Sequence, residues 1–286
     1  MDGSVRVRLD LAYDGTDFAG WAVQPGQRTV QGELERALAV ATGRADGPPP
    51  RLVVAGRTDA GVHATGQVAH VDLTAEQLDA LTRGHDGAAA VDSAARRLTG
   101  LLSDPGDVVV HRASTAPTGF DARFGAVFRR YRYRIADRLF ARDPVDRRRT
   151  MSHPRPLDDD LMRDAAVALT GLHDFAAYCK PRPGATTIRE LQLLDWRREA
   201  DGVLVAEVRA DAFCHNMVRA LVGAGIAVGV GRIPPERMAE LLASPSRSNE
   251  FAVAPAHGLT LVEVGYPADA DLAAQAERAR ARRELA

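Results

Sequence analysis

Cysteine and lysine are nearly absent from this sequence of 286 residues. It contains two cysteines, Cys179 and Cys214, and a single lysine, Lys180, beside 36 arginines. Two cysteines exclude a disulfide framework and offer no CxxC metal pair, so both are expected to be buried thiols. Because the preference for arginine runs through the whole chain, the abundance of arginine by itself indicates no function.

Long hydrophobic runs and a large net charge are also missing. No stretch approaches the roughly 20 apolar residues of a membrane span, and the N-terminus alternates charged residues with valine instead of forming a signal-peptide core. The 37 basic and 38 acidic residues give a net charge of -1, which excludes a uniformly basic protein that coats nucleic acid but not a local basic patch. We therefore expect a soluble, cytoplasmic protein of one or two domains with no membrane partner.

The positive charge is concentrated in one segment. Residues 123–155 contain eleven arginines and three acidic residues, a local charge of +8. Such a segment is typical of a solvated face or of a phosphate-binding surface. Its interleaved aromatic residues favour nucleic acid; they are Phe124, Phe128, Tyr131 and Tyr133.

Periodicity in the first half predicts alternating strands and helices. Apolar residues alternate with polar ones from Val5 to Tyr13, as in a half-buried strand. Thr29 can cap a helix that carries Val30, and Thr74 with Gln77 has the pattern of a capping box. The predicted elements are strand 5–13, helix 30–41, strands 51–56 and 66–73, a helix that follows Thr74, a helix over 91–101 and strand 108–111.

The same order of elements recurs in the second half, where strand 126–136, helix 158–170 closed by Gly171, strands 188–197 and 203–211, helices 215–230 and 235–243, and strand 259–266 are predicted. The chain is thus predicted to be an α+β protein with a duplicated split-βαβ (ferredoxin-like) unit, an extended mixed or antiparallel sheet, flanking helices and a central cleft. The glycines from Gly223 to Gly231 lack the flanking signals of a phosphate loop and indicate close helix packing. The predicted domains are 1–113 and 114–267, followed by a helical or frayed tail, 268–286.

One segment without apolar residues until its end carries the strongest signal for function. It lies between the second and third predicted strands and reads Gly56-Arg57-Thr58-Asp59-Ala60-Gly61-Val62-His63-Ala64. A plain turn is one interpretation, since Thr-Asp-Ala-Gly is a good turn sequence. Arg57 and His63 on either side of Asp59 favour a functional loop that exposes a carboxylate.

This nine-residue segment resembles the signature of the tRNA pseudouridine synthase A family. Further segments resemble the family in the same order, and together they cover roughly residues 5–267. They are Tyr13-Asp14-Gly15-Thr16 with Phe18, Gly20 and Trp21; Val30 to Leu34; Phe120 to Phe124 leading to Arg129-Arg130-Tyr131-Arg132-Tyr133; Phe213 to Arg219 with Val222-Gly223; and Gly258-Leu259 with Tyr266-Pro267.

The resemblance implies three catalytic roles. Asp59 is the family's catalytic residue, the nucleophile or base that breaks the N-glycosidic bond of uridine. Because such a carboxylate must be ionised while shielded from water, it needs a cation within about 4 to 6 Å, and Arg219 is the implied partner. Tyr131 is the implied active-site tyrosine whose ring lies against the uracil.

Other residues are implied to bind the RNA. Arg57 resembles the residue that helps to extract the uridine from its stack, and His63 is expected to contact the RNA backbone or only to bond the loop. Arg130 and Arg132 alternate with Tyr131 along one strand, so they are expected on the opposite face, where they meet solvent, acids or phosphate.

The implied activity is isomerisation of uridine to pseudouridine at positions 38, 39 and 40 of the tRNA anticodon stem-loop. The resemblance implies no cofactor and no metal, an RNA-binding central cleft and a homodimer that holds one tRNA across both subunits. Alternatives are a pseudouridine synthase for another RNA, a non-catalytic RNA-binding protein of the same fold, and a two-carboxylate glycoside hydrolase with Asp14 or Asp17 as second acid. A metal hydrolase is disfavoured because no HxxxH or HxxEH spacing occurs.

Overall fold

Two compact units are present in the computed structural model, which describes residues 4–43 and 49–280. The first unit comprises the chain up to Val127 together with Glu263–Arg280, and the second comprises Phe128–Val262. Residues 1–3, 44–48 and 281–286, which include the end of the predicted tail, lie outside the described residues. The predicted domain boundary after residue 113 stays a prediction.

Up to Val127, the described part of the first unit contains three main antiparallel strands and three helices. In chain order they are β1 (Val5–Tyr13), α1 (Val30–Ala41), the short β2 (Val53–Val54), β3 (His63–Leu73), α2 (Ala75–Thr82), α3 (Gly87–Leu101) and β4 (Val108–Thr115). Strand β1 lies between β4 and β3, and β2 pairs with β3. The sequence defines the helix starts, because the hydroxyl of Thr29 accepts from the amide of Gly32 and Thr74 forms a capping box with Gln77.

The second unit repeats this order with two added short strands. It contains β5 (Phe128–Ala136), β6 (Met151–Ser152), α4 (Asp159–Val167), β7 (Gly171–Asp174), β8 (Ile188–Arg198), β9 (Leu204–Ala210), α5 (Met217–Gly229), α6 (Arg237–Glu240) and the start of β10 (Leu259–Gly265). The last residues of β10 and the C-terminal helix α7 (Leu272–Arg280) belong to the first unit. The antiparallel order is β5-β9-β8-β7, and β6 pairs with β5 in parallel.

The predicted α+β class, with a mixed sheet and flanking helices, is confirmed. The end of the first helix in the second unit was predicted wrongly. Helix α4 ends at Val167, and Gly171, with φ of 120°, begins strand β7 instead of closing the helix. A four-residue strand is too short for a periodic pattern, and it forms because it pairs with β8. The helix predicted over 235–243 is also shorter, since a 3₁₀ turn follows α6.

Close helix packing by the glycines of α5 is confirmed. A Cβ atom on Gly223 would lie 1.9 Å from the carbonyl oxygen of Ala252, and one on Gly225 would lie 2.6 Å from the ring of Trp196. Trp196, Ala206 and Tyr133 form one cross-strand row, so α5 covers the face of the sheet that carries Tyr133. In the described part of the chain, no helix combines the length and the hydropathy that crossing a bilayer requires.

A buried ion pair closes the end of β5. The carboxylate of Asp137 is fully buried, binds Arg198 at 2.8 Å and accepts from the amide of Leu157 at 2.8 Å. Arg198 also binds Asp159 at 3.0 Å. Burial opposes ionisation of Asp137, but Arg198 and the Leu157 amide outweigh it and hold the pKa of Asp137 below its usual range.

We expect the substitution Asp137→Asn to lower the free energy of unfolding by about 2 to 3 kcal/mol at pH 7, because it removes a buried charge from Arg198. Since the pKa is lower in the folded state, this stabilisation is complete above the pKa of the unfolded chain and is lost as the pH falls through the folded pKa. Urea unfolding of both proteins between pH 7 and pH 3 measures it. A difference that stays constant over this range would contradict the expectation.

Candidate active site

A tight turn presents Asp59 at the start of β3. The amide of Val62 donates to the carbonyl of Asp59 at 3.2 Å, and Gly61 supplies a φ of 75°. Glycine adopts this left-handed conformation without the steric cost that a Cβ atom brings. Asp59 is half-buried, whereas Thr58 and Val62 on either side of it are buried. The turn that the sequence indicates therefore does form, and it leaves the Asp59 side chain partly accessible.

The segment that follows β1 holds this turn in place. The amide of Trp21 donates to the carbonyl of Thr58 at 3.0 Å, and the amide of Gly61 donates to the carbonyl of Phe18 at 3.4 Å. A Cβ atom on Gly15 would lie 2.0 Å from the carbonyl oxygen of Val62, so only glycine allows the two backbones to approach this closely. The segment from Gly15 to Trp21 thus supports the Asp59 turn.

His63 is buried inside this support. It is 6% exposed, its Nδ1 accepts from the amide of Gly15 at 3.0 Å, and the same atom lies 3.0 Å from Asp14. Both contacts tie the ring of His63 to the segment that follows β1. Of the two predicted roles for His63, these contacts favour bonding within the loop over contact with the RNA backbone.

Arg57, two residues before Asp59, is exposed. Among residues 4–43 and 49–280, no carboxylate lies within ion-pair distance of its guanidinium. A structural salt bridge, the plain alternative to a function in RNA, is therefore not found in this part of the chain. Its predicted role in extracting a uridine stays a prediction.

In the second unit, Tyr131 lies on the face of β5 that α5 covers. It is 7% exposed, and its ring meets the ring of Phe213 edge-on, with centroids 5.2 Å apart. On the same face, the hydroxyl of Tyr133 donates to the carbonyl of Pro255 at 2.8 Å. Burial raises the pKa of Tyr133, and the positive charge of Arg219 partly offsets that rise. Tyr131 and Tyr133 thus form the aromatic face of β5 that the sequence alternation predicts. The charge of Arg219 acts on the pKa of Tyr133 on this face.

Arg219 lies in the first turn of α5 and is fixed at both its backbone and its side chain. Its Nε donates to the carbonyl of Ala254 at 2.7 Å, and its own carbonyl accepts from the amide of Ala254 at 3.0 Å. The missing Cβ of Gly223 permits this close approach. A guanidinium at the positive end of a helix dipole favours an anion beside it. The predicted ion pair between Arg219 and Asp59 stays a prediction.

Arg130 and Arg132 lie on the other face of β5 from Tyr131. Both bind Glu207 of β9, Arg130 at 3.0 Å and Arg132 at 3.3 Å. Partial burial opposes ionisation of Glu207, but the two arginines hold its pKa below the usual range. Solvent, acids and phosphate were the predicted surroundings of these two arginines, and the structure shows an acid, Glu207. Contact with RNA stays a prediction for them, and it would occur on the face opposite to Tyr131.

The expectation of two buried thiols is wrong. Cys179 and Cys214 form a disulfide, with Cα atoms 5.8 Å apart, and Cys214 is only half-buried. Next to it, the amide of Lys180 donates to the carbonyl of His215 at 2.9 Å. The two cysteines are 35 residues apart in sequence, so only the tertiary fold shows that they meet.

Several residues around these groups have no role predicted from the sequence. Tyr13, Thr58 and Gln67 bond one another beneath the Asp59 turn, and Phe213 packs against Tyr131. No sequence signal singles out Gln67, because polar residues recur along β3, and only the structure shows that Gln67 is fully buried. A buried amide requires hydrogen-bond partners.

Comparison with known proteins gives the class of protein. The sequence profile of a family described as tRNA pseudouridine synthase matches residues 165–267. A fold of two α+β units with a carboxylate on a supported turn is consistent with that class of RNA-modifying isomerases.

Curated relatives match the chain over nearly its whole length. The tRNA pseudouridine synthase A of Leifsonia xyli subsp. xyli is 58% identical, covering 99% of this chain and 99% of the relative. The protein of the same name from Streptomyces griseus subsp. griseus is 56% identical, covering 99% and 95%, and that from Mycobacterium leprae is 50% identical, covering 98% and 95%. The chain belongs to the tRNA pseudouridine synthase A family.

Proposed function

We propose that this protein isomerises uridine to pseudouridine in tRNA, at positions 38, 39 and 40 of the anticodon stem-loop, and that Asp59 is its essential catalytic group. The observation that carries the proposal is the Asp59 turn, which presents a half-buried aspartate on a backbone that the segment after β1 holds. Membership of the tRNA pseudouridine synthase A family supports the reaction type.

The reaction is an isomerisation and needs no external oxidant or reductant. The bond between N1 of uracil and C1′ of ribose breaks, the base turns, and a bond forms between C5 and C1′. The hydrogen on C5 is released to solvent, and N1 gains a proton. Asp59 adds to the base, or attacks or deprotonates the sugar, and both routes require an ionised carboxylate.

The other residues are proposed to prepare the uridine for this step. A base in a stem is reached only after it leaves the stack, which costs a few kcal/mol, and the exposed guanidinium of Arg57 fills the vacated space. The ring of Tyr131 packs against the uracil, and Arg219 balances the charge of Asp59. The firm attachment of Arg219 to Ala254 supports this role, because a fixed cation stabilises an anion without reorganising.

We further propose a homodimer that binds one tRNA across both subunits. The net charge of the chain is -1, and Glu207 compensates Arg130 and Arg132 of the most basic segment. A single chain therefore presents little net attraction to a polyanion, whereas two copies double the area that contacts the RNA. Sedimentation velocity of the purified protein measures the association state.

We expect wild-type protein to release tritium from anticodon-arm transcripts labelled at uridine C5, one equivalent for each uridine at positions 38 to 40, with no cofactor added. Formation of the bond from C5 to ribose must expel that hydrogen. A matched transcript with cytidine at those three positions is the control. Equal release from both transcripts would contradict the proposed positions. No release from any tRNA, with binding intact, would favour a non-catalytic RNA-binding protein.

A further inference from the structure

A chain of buried hydrogen bonds lies beneath the Asp59 turn. The side-chain amide of Gln67 on β3 donates to the hydroxyl of Tyr13 on β1 at 3.1 Å and to the carbonyl of Gly56 at 2.9 Å. The Tyr13 hydroxyl lies 2.8 Å from the hydroxyl of Thr58. Gln67 is 0% exposed, Tyr13 5% and Thr58 7%. These hydrogen bonds therefore link β1 and β3 to Gly56 and Thr58, the residues on either side of Arg57. Thr58 directly precedes Asp59.

The direction of the two hydrogen bonds that Gln67 makes follows from the chemistry of its side-chain amide. The Oε1 atom of Gln67 accepts from the amide of Val68 at 3.2 Å, so its NH₂ end faces Tyr13 and Gly56. Both amide hydrogens are then used, and the Tyr13 oxygen accepts one of them; in its bond with the Thr58 hydroxyl either oxygen can donate. Burial raises the pKa of Tyr13 to about 12. Tyr13 therefore keeps its proton throughout the neutral pH range.

Packing alone gives no reason for this chain of polar groups. Apolar side chains of similar size would fill the same space, and each buried polar group that loses its partner destabilises the folded state. These hydrogen bonds fix the location of the segment before Asp59, because they end on the backbone of Gly56 and on the side chain of Thr58. A buried network in which every member is bonded holds its parts in one arrangement.

We infer that Tyr13, Gln67 and Thr58 are positioning residues, which hold Asp59 where it meets the uridine. This inference rests on the proposed function, because it assumes that Asp59 carries the reaction. A displacement of about 1 Å at a reacting group can slow a reaction by about 100-fold. Loss of these hydrogen bonds therefore slows the chemical step while leaving the RNA-binding surface in place.

The test compares isosteric and conservative substitutions in single-turnover tritium release at saturating tRNA. Thr58→Val and Tyr13→Phe each remove one hydroxyl, and we expect them to slow release by roughly 10- to 100-fold, with the Kd for tRNA within about twofold of wild type. Thr58→Ser keeps the hydroxyl and is expected to recover most of the rate lost in Thr58→Val. Because the two hydroxyls act in series, the double variant is expected to be no slower than the slower single variant.

Thr99→Val is the matched control. The Thr99 hydroxyl bonds the carbonyl and the amide of Val110, both at 3.1 Å, far along the chain from the Asp59 turn. We expect Thr99→Val to lower the melting temperature without slowing tritium release. A normal rate in both Thr58→Val and Tyr13→Phe would overturn the positioning role, as would multiplied losses in the double variant. If Thr58→Val fails to fold, the rate of Tyr13→Phe decides alone.

Asp59→Asn separates this inference from the proposed function. If Asp59→Asn keeps its rate, the proposed function itself fails, since Asp59 is then not the catalytic group. If Asp59→Asn is inactive while the hydroxyl variants release tritium at the wild-type rate, the proposed function stands and only the positioning role fails.

Discussion

Replacement of Asp59 by asparagine is expected to slow tritium release from uridine C5 by roughly 10⁴- to 10⁶-fold, the size of loss seen when an enzyme loses its nucleophile. Asparagine has the shape of aspartate but neither its charge nor its basicity, so it can neither attack nor deprotonate. The turn itself depends on the backbone bond from Val62 to Asp59 and on Gly61, which the substitution leaves unchanged.

The measurement is single-turnover release together with filter binding of the same labelled tRNA. We expect a Kd for the variant within a few-fold of wild type. Asp72→Asn is the matched control, because it makes the same chemical change in the same unit, at an exposed carboxylate that binds Arg6 at 2.7 Å. Activity above about one hundredth of wild type in Asp59→Asn would show that another group carries the reaction.

The substitution Gly15→Ala is expected to have the second largest effect, on both stability and rate. The new Cβ atom would lie 2.0 Å from the carbonyl oxygen of Val62 and 3.1 Å from the amide nitrogen of His63. These are backbone atoms, so no side-chain rotation relieves the clash, and the turn that carries Asp59 must shift. We expect the free energy of unfolding to fall by roughly 1 to 3 kcal/mol and the rate of tritium release to fall by about 100-fold.

Gly100→Ala is the control for Gly15→Ala. No atom lies within 4 Å of the position of a Cβ on Gly100, and the residue lies inside helix α3, where alanine is favoured over glycine by up to about 1 kcal/mol. We expect this variant to be as active as wild type and slightly more stable in urea. Wild-type activity in Gly15→Ala would show that catalysis tolerates displacement of the Asp59 turn.

Local patterns in the sequence were enough for most elements of the fold. The alternation in β1 and the caps of α1 and α2 involve residues only a few positions apart, and the structure confirms them. The short strands β6 and β7 were missed, because their formation depends on pairing with β5 and β8 and not on their own residues. The end of α4 was misplaced for the same reason.

The candidate site was predicted in part. The roles of Asp59, Arg57, Tyr131 and Arg219 follow from the family resemblance and stay predictions. The structure shows the supported turn that carries Asp59, and it shows that the charge of Arg219 acts on Tyr133. The burial of His63 was not predicted, because it depends on Asp14 and Gly15, which are distant in sequence.

By itself, the sequence determined the class of fold, the family and the residue expected to carry the chemistry, because strand alternation, helix caps and a nine-residue motif are each encoded in a short stretch. Only the tertiary structure decided which groups meet. Tyr13 lies 45 positions from Thr58, Gln67 lies 54 from Tyr13, and Arg130 lies 77 from Glu207. Hydrogen bonds and ion pairs form between side chains that strand pairing brings within about 3 Å, and no local pattern specifies such pairings.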